Sequence, residues 1–317
     1  MKIAFYSPHL CLRGTTVAMY DYAFYNQTLL GNESCIIYSS QDHRNSDSAI
    51  EKFNDSFSEI YALENEKKLD EVLTQSKADA VYILKAGKND ERQSSVCKNL
   101  IHCTGLECEP HGHVYAYVSK WLSEKCSQGK LPFVPHIVDL PKQDGNLRND
   151  LGIPDSALVF GRNGGKDTWS LPFVNHVISE TLKRRDDIYF IFQNTEEFID
   201  HERVFFIEST ARMHYKTKFI NTCDAMIHAR LEGESFGLAC GEFSLRNKPV
   251  ITWSGSNEKN HIETLGNKAF LYENSIDLLS IFLEFKKQPA KDWNCYKDFS
   301  PEKVMKKFNE IFLKQDA

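Results

Sequence analysis

Short apolar runs alternate along the chain with stretches whose apolar positions recur every three to four residues. In the first half the runs predict strands at Lys2–Tyr6, Cys35–Tyr38, Ala80–Leu84, Asn99–Cys103 and Val114–Val118. Helical periodicity predicts Thr15–Leu30, closed by the turn pair Gly31-Asn32, and Leu69–Gln75. From Pro132 to Pro154 the rhythm breaks. Four prolines at 132, 135, 141 and 154 stand among polar residues, which rejects both helix and central strand and reads as a linker. The alternation then restarts. Strands are predicted at Ala157–Gly161, Ile188–Gln193, Val204–Ile207, Ala225–His228, Val250–Trp253 and Ala269–Tyr272. Helices are predicted at Leu171–Arg184, Tyr215–Asn221, Phe236–Arg246, Ser275–Phe285 and Pro301–Leu313, the last with Ser300 as N-cap and Pro301 in its first turn.

Strands that alternate with helices predict an α/β fold with parallel sheets covered on both faces. The chain has 317 residues, enough for two domains of about 150 residues each. The reading is therefore two Rossmann-like domains joined by a Pro-rich hinge, with the ligand in a cleft at the carboxyl ends of the strands.

Composition narrows the function. Thirty-eight Lys+Arg against 44 Asp+Glu give a formal charge of −6, which excludes a general nucleic-acid binder. No apolar run is long enough for a membrane span, and the opening Met1–Tyr6 is too short for a signal peptide. The nine cysteines are odd in number and scattered, which predicts free thiols in a reducing, cytoplasmic setting. Three sequons, beginning at Asn26, Asn32 and Asn54, are then expected to stay unmodified. Tyr20, Tyr22, Phe24 and Tyr25 on the first helix are expected to pack against the sheet. Lys303, Lys306 and Lys307 form a solvated face whose one alternative is a weak peripheral membrane contact.

Four local patterns carry chemistry. The strongest is Glu232-Gly233-Glu234-Ser235-Phe236-Gly237-Leu238-Ala239-Cys240-Gly241-Glu242. Its glycines permit a tight strand-to-helix turn, and the helix start offers free amides to a phosphate or sugar hydroxyl. Glu234 and Glu242 stand about 12 Å apart along such a helix, enough to span a sugar at one end of a diphosphate and a ribose at the other. The bland reading is a capping Glu followed by a solvated one. The second pattern is Gly161-Arg162-Asn163-Gly164-Gly165-Lys166, two cations on a Gly-rich loop suited to a diphosphate. A surface turn is its alternative. The third is Arg13-Gly14-Thr15-Thr16, where Gly14 lets backbone approach a ligand and Thr15 or Thr16 caps the helix instead if no ligand is met. The fourth is His102 at a strand end, followed by Cys103, Cys108, His111 and His113. That set invites zinc, but its spacing matches no common zinc module. His111 instead suits a loop facing an acceptor.

Glu, seven residues, then Glu, in the wording Glu-Ser-Phe-Gly-Leu, resembles the signature of retaining family-4 glycosyltransferases of the GT-B fold. Asn247-Lys248-Pro249-Val250-Ile251 is similar to that family's small-x-Pro-Val-Ile strand. The resemblance implies that Glu234 and His102 contact the transferred sugar and that Glu242 accepts from the ribose hydroxyls. Phe236, Gly237 and Leu238 would line sugar and diphosphate, and Arg162 and Lys166 would hold the leaving diphosphate, with Gly14 and Thr15 also on the donor side. It implies an acceptor domain at 1–140, a donor domain at 141–300 and a final helix at 301–317 that crosses back onto the first. The donor would be a UDP or GDP sugar, the acceptor a glycan or other hydroxyl, and no metal or other cofactor would be needed. Arg13-Gly14-Thr15-Thr16 and Ile227-His228-Ala229-Arg230 also look like glycosyltransferases of large algal DNA viruses (the chlorovirus type), which implies the host cytoplasm if viral. No Asp-x-Asp metal clamp and no Gly-x-Gly-x-x-Gly dinucleotide loop occur. The rival readings are a non-hydrolysing nucleotide-sugar epimerase and a non-catalytic sugar-nucleotide or glycan binder.

Overall fold

The computed structural model describes residues 1–90, 92–287 and 290–314. The chain divides into two compact units. The first comprises Met1–Ile137 together with the described residues from Phe299 onward, and the second is Val138–Asp298.

The first unit is built on β1 (Lys2–Ser7), α1 (Gly14–Thr28), β2 (Glu33–Ser39), α2 (Asp47–Asn54), β3 (Ile60–Leu63), α3 (Leu69–Ser76), β4 (Ala80–Lys85), β5 (Lys98–Cys103), β6 (Val114–Tyr117) and α4 (Lys120–Ser127). Its six strands pair in parallel in the order β3-β2-β1-β4-β5-β6. The inner strands are unbroken apolar runs because helices cover both faces of a parallel sheet. Gly31 closes α1 at φ +67°, in the left-handed region where glycine carries no Cβ penalty. The edge strand β3 and the eight-residue helices α2 and α4 fall outside the predicted elements. Two of the four β3 side chains are only half-buried and one is exposed, so its apolar signal is weak. α4 is fixed by Ser119, whose hydroxyl accepts the Leu122 amide at 3.1 Å.

The second unit contains β7 (Leu158–Asn163), α5 (Pro172–Arg184), β8 (Ile188–Gln193), β9 (Val204–Ile207), α6 (Met213–Thr222), β10 (Ala225–His228), β11 (Gly233–Glu234), α7 (Leu238–Leu245), β12 (Val250–Trp253), β13 (Glu258–Lys259), α8 (Asn260–Leu265), β14 (Phe270–Tyr272) and α9 (Ser275–Glu284). Its parallel sheet runs β14-β12-β10-β7-β8-β9, and β11 and β13 form a separate two-residue pair. The chain leaves β7 toward β8 and β9, then returns to β10 on the other side. The order therefore reverses between β7 and β10, the place where open α/β sheets bind ligands. The core beneath is aromatic: Phe160, Phe190 and Phe282 are fully buried with ring centroids 4.8–5.5 Å apart.

α10 (Pro301–Phe308) continues into a wider turn, Asn309–Leu313, and belongs to the first unit. Phe308 stacks on Tyr22 of α1 at 5.3 Å, and Phe312 meets His102 at 5.3 Å. Lys307 is not part of a solvated face, because its ammonium lies 3.0 Å from the Phe133 ring centroid. Ser300 stands at the N-cap but turns its hydroxyl to Glu302 rather than to the helix backbone. The expected helix ran on to 317, and residues 315–317 lie outside the described ones. The free-thiol expectation needs correction at two positions. Cys108 and Cys126 are bridged, with Cα atoms 5.5 Å apart, which ties the loop after β5 to α4. The other seven cysteines are free. No helix among the described residues is long and apolar enough to cross a membrane.

Phe308 is fully buried among Tyr22, Tyr82 and Phe312. Truncation to Ala removes a ring the neighbours cannot replace, and Phe308→Ala should destabilise the first unit by about 3–5 kcal/mol. Equilibrium denaturation of the two proteins would measure it; a loss below about 1 kcal/mol would show that the neighbours collapse into the space.

Candidate functional site

Arg162 and Asn163 end β7, Gln193 ends β8 and His228 ends β10. After β10 the backbone turns through Arg230–Glu232 into β11. Gly233 has φ +73°, and a Cβ there would collide with the Glu258 carbonyl of β13. Gly237 has φ +91°, and a Cβ would come 2.9 Å from that of His261. This left-handed residue is why α7 starts at Leu238, two residues later than the periodicity predicts. Its first helical bond is Gly241 N–H to the Gly237 carbonyl at 2.9 Å, and no side chain caps it. The amides of its first turn therefore keep their anion-binding character.

Glu234 sits just before that turn with its side chain 24 % exposed. Its Oε1 accepts from the Arg230 guanidinium at 3.0 Å and meets His228 Nε2 at 3.2 Å. Its Oε2 has no partner among the described residues. Burial pushes this carboxyl up, but the His228 bond and the Arg230 charge outweigh it and hold the group at about 2. Glu234 is thus a permanent carboxylate with one oxygen anchored and one open.

Glu242 lies on the following helix and is only 4 % exposed. It forms an ion pair with Lys216 of α6 and takes the Asn163 amide at 3.4 Å. The two carboxylates of the sequence motif thus lie in the same unit, one buried and paired, the other half open.

Arg162 lies at the end of β7. It is 3 % exposed and clamps two loops together. One terminal nitrogen donates to the Asn194 carbonyl at 2.9 Å and the Thr195 hydroxyl at 2.5 Å. The other donates to the Gly165 carbonyl and the Thr168 hydroxyl, both at 2.7 Å. Burial lowers its pKa to about 10, partly offset by the Glu234 charge. Both terminal nitrogens are engaged, so Arg162 holds the two loops in place. Lys166 points outward, 65 % exposed, and reaches Glu196 at 3.3 Å. Phe236 turns its ring inward against Tyr296, while its carbonyl accepts the Asn260 amide.

His102 is enclosed at the end of β5. It is fully buried in the first unit, with Nδ1 2.6 Å from the Tyr82 hydroxyl and Nε2 2.8 Å from the Val134 carbonyl. Burial drives its pKa down to about 3. The ring is enclosed by Tyr22, Tyr82, His136 and Phe312. His111 is anchored as well, its ring nitrogens meeting the Glu109 carbonyl at 2.6 Å and the Lys85 ammonium at 3.3 Å. The zinc-like set is not assembled: Cys108 is bridged, and no cluster of three metal-ligating side chains occurs among the described residues. Gly14 and Thr15 are exposed at the uncapped start of α1. Thr16 turns inward to accept the Cys11 amide at 3.3 Å.

Sequence reasoning assigned no role to His228, Arg230, Lys216, Thr252, Glu258 or His261. Only the His228-Ala229-Arg230 wording flagged two of them. Gly233 to Gly237 also has the Gly-x-Ser-x-Gly spacing of a hydrolase elbow. Among the described residues, however, no imidazole bonds to Ser235: His228 meets Glu234 and Thr252, and His261 meets Thr252.

No family model and no curated sequence matches the chain. Solved structures match along its whole length. HepE from Anabaena, solved with UDP and glucose, superposes with a TM-score of 0.72 at 13 % identity over 98 % of both chains. A glycosyltransferase from Rickettsia africae gives 0.68 at 14 % identity over 100 % of this chain and 99 % of its own. A UDP-N-acetylglucosamine 2-epimerase candidate from Listeria monocytogenes gives 0.65 at 13 % identity over 100 % and 97 %. These likenesses establish the fold: α/β, two Rossmann-like units of the GT-B type.

Glu258 stands beside this turn, opposite Gly233 in the β11–β13 pair. Burial raises its pKa to about 7; the Arg230 charge opposes the rise and the Glu234 charge adds to it. A carboxyl raised on folding contributes stability at low pH that is lost as pH climbs from about 4.5 through about 7. Glu258→Gln should flatten that part of the stability–pH profile, measured by thermal unfolding between pH 4 and 8 at intervals of about half a unit. An unchanged profile would show that Glu258 ionises as freely in the folded chain as in the unfolded one.

Proposed function

We propose that this chain is a glycosyltransferase that moves a sugar from a nucleoside-diphosphate donor to the hydroxyl of a glycan or similar acceptor. The second unit holds the donor. The observation that carries the reading is Glu234, a carboxylate with Oε1 anchored by Arg230 and His228 and Oε2 left open, directly before an uncapped helix start. A donor sugar needs an acceptor for its hydroxyls, and a diphosphate needs amides and positive charge, within a few ångströms of each other. The fold likeness to a protein solved with UDP and glucose supports the same choice.

In this reading the first-turn amides at Leu238 and beyond, with Arg230, take the diphosphate oxygens. Glu234 Oε2 accepts from the transferred sugar. Glu242 accepts from the ribose, since each carboxylate oxygen keeps a second lone pair beside its Lys216 or Asn163 bond. Lys166 is tethered only to exposed Glu196, a pairing of little worth, and swings onto the diphosphate at small cost. Charge growing on the departing diphosphate is met by the helix start and these cations, with no call for a metal. The first unit serves the acceptor. Retention of configuration, by front-face attack in which the leaving phosphate oxygen takes the acceptor proton, follows from the family-4 resemblance.

The Listeria likeness keeps an epimerase as the second reading. Incubation with UDP-N-acetylglucosamine alone separates the two, because an epimerase makes a new sugar nucleotide without acceptor.

Glu234→Gln keeps the shape and removes the charge. Sugar transfer should fall about 100-fold or more, equivalent to roughly 2.7 kcal/mol of transition-state stabilisation. UDP affinity, measured by calorimetry, should stay within about threefold, because the diphosphate contacts remain. Full turnover in the variant would remove Glu234 from the reaction.

A further inference from the structure

Glu234 is the end of a longer chain of polar contacts. His228 Nε2 faces Glu234 Oε1 at 3.2 Å, and His228 Nδ1 meets Thr252 Oγ1 at 2.9 Å. The same hydroxyl meets His261 Nε2 at 3.0 Å. Thr252 and His261 are fully buried, and the two imidazoles lie 4.7 Å apart. The Tyr272 hydroxyl, donating to the His228 carbonyl at 2.9 Å, fixes the backbone from which the first ring projects.

Proton counting fixes the direction of this chain. A hydroxyl donates one proton, so its two contacts cannot be assigned independently. An ionised carboxylate only accepts, hence His228 Nε2 carries hydrogen. If Nδ1 is bare, it accepts the Thr252 proton, and the Thr252 oxygen accepts in turn from His261 Nε2–H. His261 is then left with a bare Nδ1. That atom is buried without a hydrogen-bond partner. The Glu234 main-chain carbonyl lies near the His261 ring but makes no hydrogen bond to Nδ1. The reverse order needs a doubly protonated His228 and leaves an N–H at the same buried nitrogen. A stranded buried N–H costs about 1–3 kcal/mol, and such donors are rarer in folded proteins than under-used acceptors. Burial and the neighbouring imidazole also drive the His261 pKa down to about 3, which keeps that ring neutral.

We propose that Thr252 and His261 are positioning residues, forming a one-way relay from His261 through Thr252 and His228 to Glu234 that locks the His228 proton on Nε2 and so aims the carboxylate at the donor sugar. The role, though not the tautomers, rests on the glycosyltransferase reading. The relay draws on β10, β12 and α8, so it couples the reactive turn to the centre of the sheet.

The test combines imidazole nitrogen-15 NMR with turnover of UDP-glucose, water serving as acceptor and UDP release as the signal. The wild type should show Nε2–H tautomers at both His228 and His261. Thr252→Val keeps the shape without the hydroxyl. It should leave His228 as a tautomer mixture and cut turnover about 10–100-fold, with UDP affinity changed by less than about twofold. Thr252→Ser should restore both signals. An Nδ1–H at either ring of the wild type overturns the relay, as does a folded Thr252→Val protein with unchanged tautomers and turnover. If the wild type shows the expected tautomers yet leaves UDP-glucose intact, the donor reading fails and the relay's proton order stands.

Discussion

The site depends on keeping one carboxylate charged while three-quarters of its side chain is withdrawn from water. Two donors converge on the same oxygen, the His228 imidazole from the last residue of β10 and the Arg230 guanidinium from the turn that follows it. That convergence dictates much of the surrounding architecture. β10 must end at His228 so that one imidazole nitrogen points back to β12 and the other forward to Glu234. The backbone must then reverse within a few residues, which only a left-handed Gly233 packed against Glu258 permits. The turn delivers Glu234 immediately ahead of α7, whose amides supply what the carboxylate lacks, an affinity for negative charge.

The buried cations play a different part from the half-exposed one. Arg162 is withdrawn into the protein and joins Gly165 and Thr168 to Asn194 and Thr195. Lys216 closes on Glu242. Arg162 sets the shape of the loops and Lys216 fixes a carboxylate before any ligand arrives, so little ordering remains to be done on binding. Arg230, 30 % exposed on its side chain, keeps access to solvent. Charge alone therefore does not identify a ligand contact; how completely a guanidinium is already bonded decides it.

The inner strands and the chain's alternation were legible because a parallel sheet buried on both faces leaves unbroken apolar runs such as Ile3-Ala4-Phe5-Tyr6. The turn before α7 was legible because Gly233, Gly237 and the two glutamates lie within one short stretch. What escaped reading depends on residues far apart in the chain. His102 looked like a strand-end ligand until Tyr22, Tyr82 and Phe312 closed around it from three other elements. His228, Thr252 and His261 come from two strands and a helix, and nothing local marks Thr252 as the hydroxyl between two imidazoles. Arg162 has the right residue type at the right strand end, but its partners at 194 and 195 arrive one βα unit later. The short pair of β11 and β13 has no periodicity to detect at two residues each.

The first unit draws its aromatic core from both ends of the described chain, since Phe308 and Phe312 pack on Tyr22 and Tyr82. The second unit is continuous. During synthesis the second unit can therefore close before the first, although its residues are made later. Until Phe308 emerges, Tyr22 and Tyr82 lack the ring that covers them, and the nascent first unit presents sticky aromatic surface to the cell. The last described turns of helix thus act as the latch that ends this exposed interval.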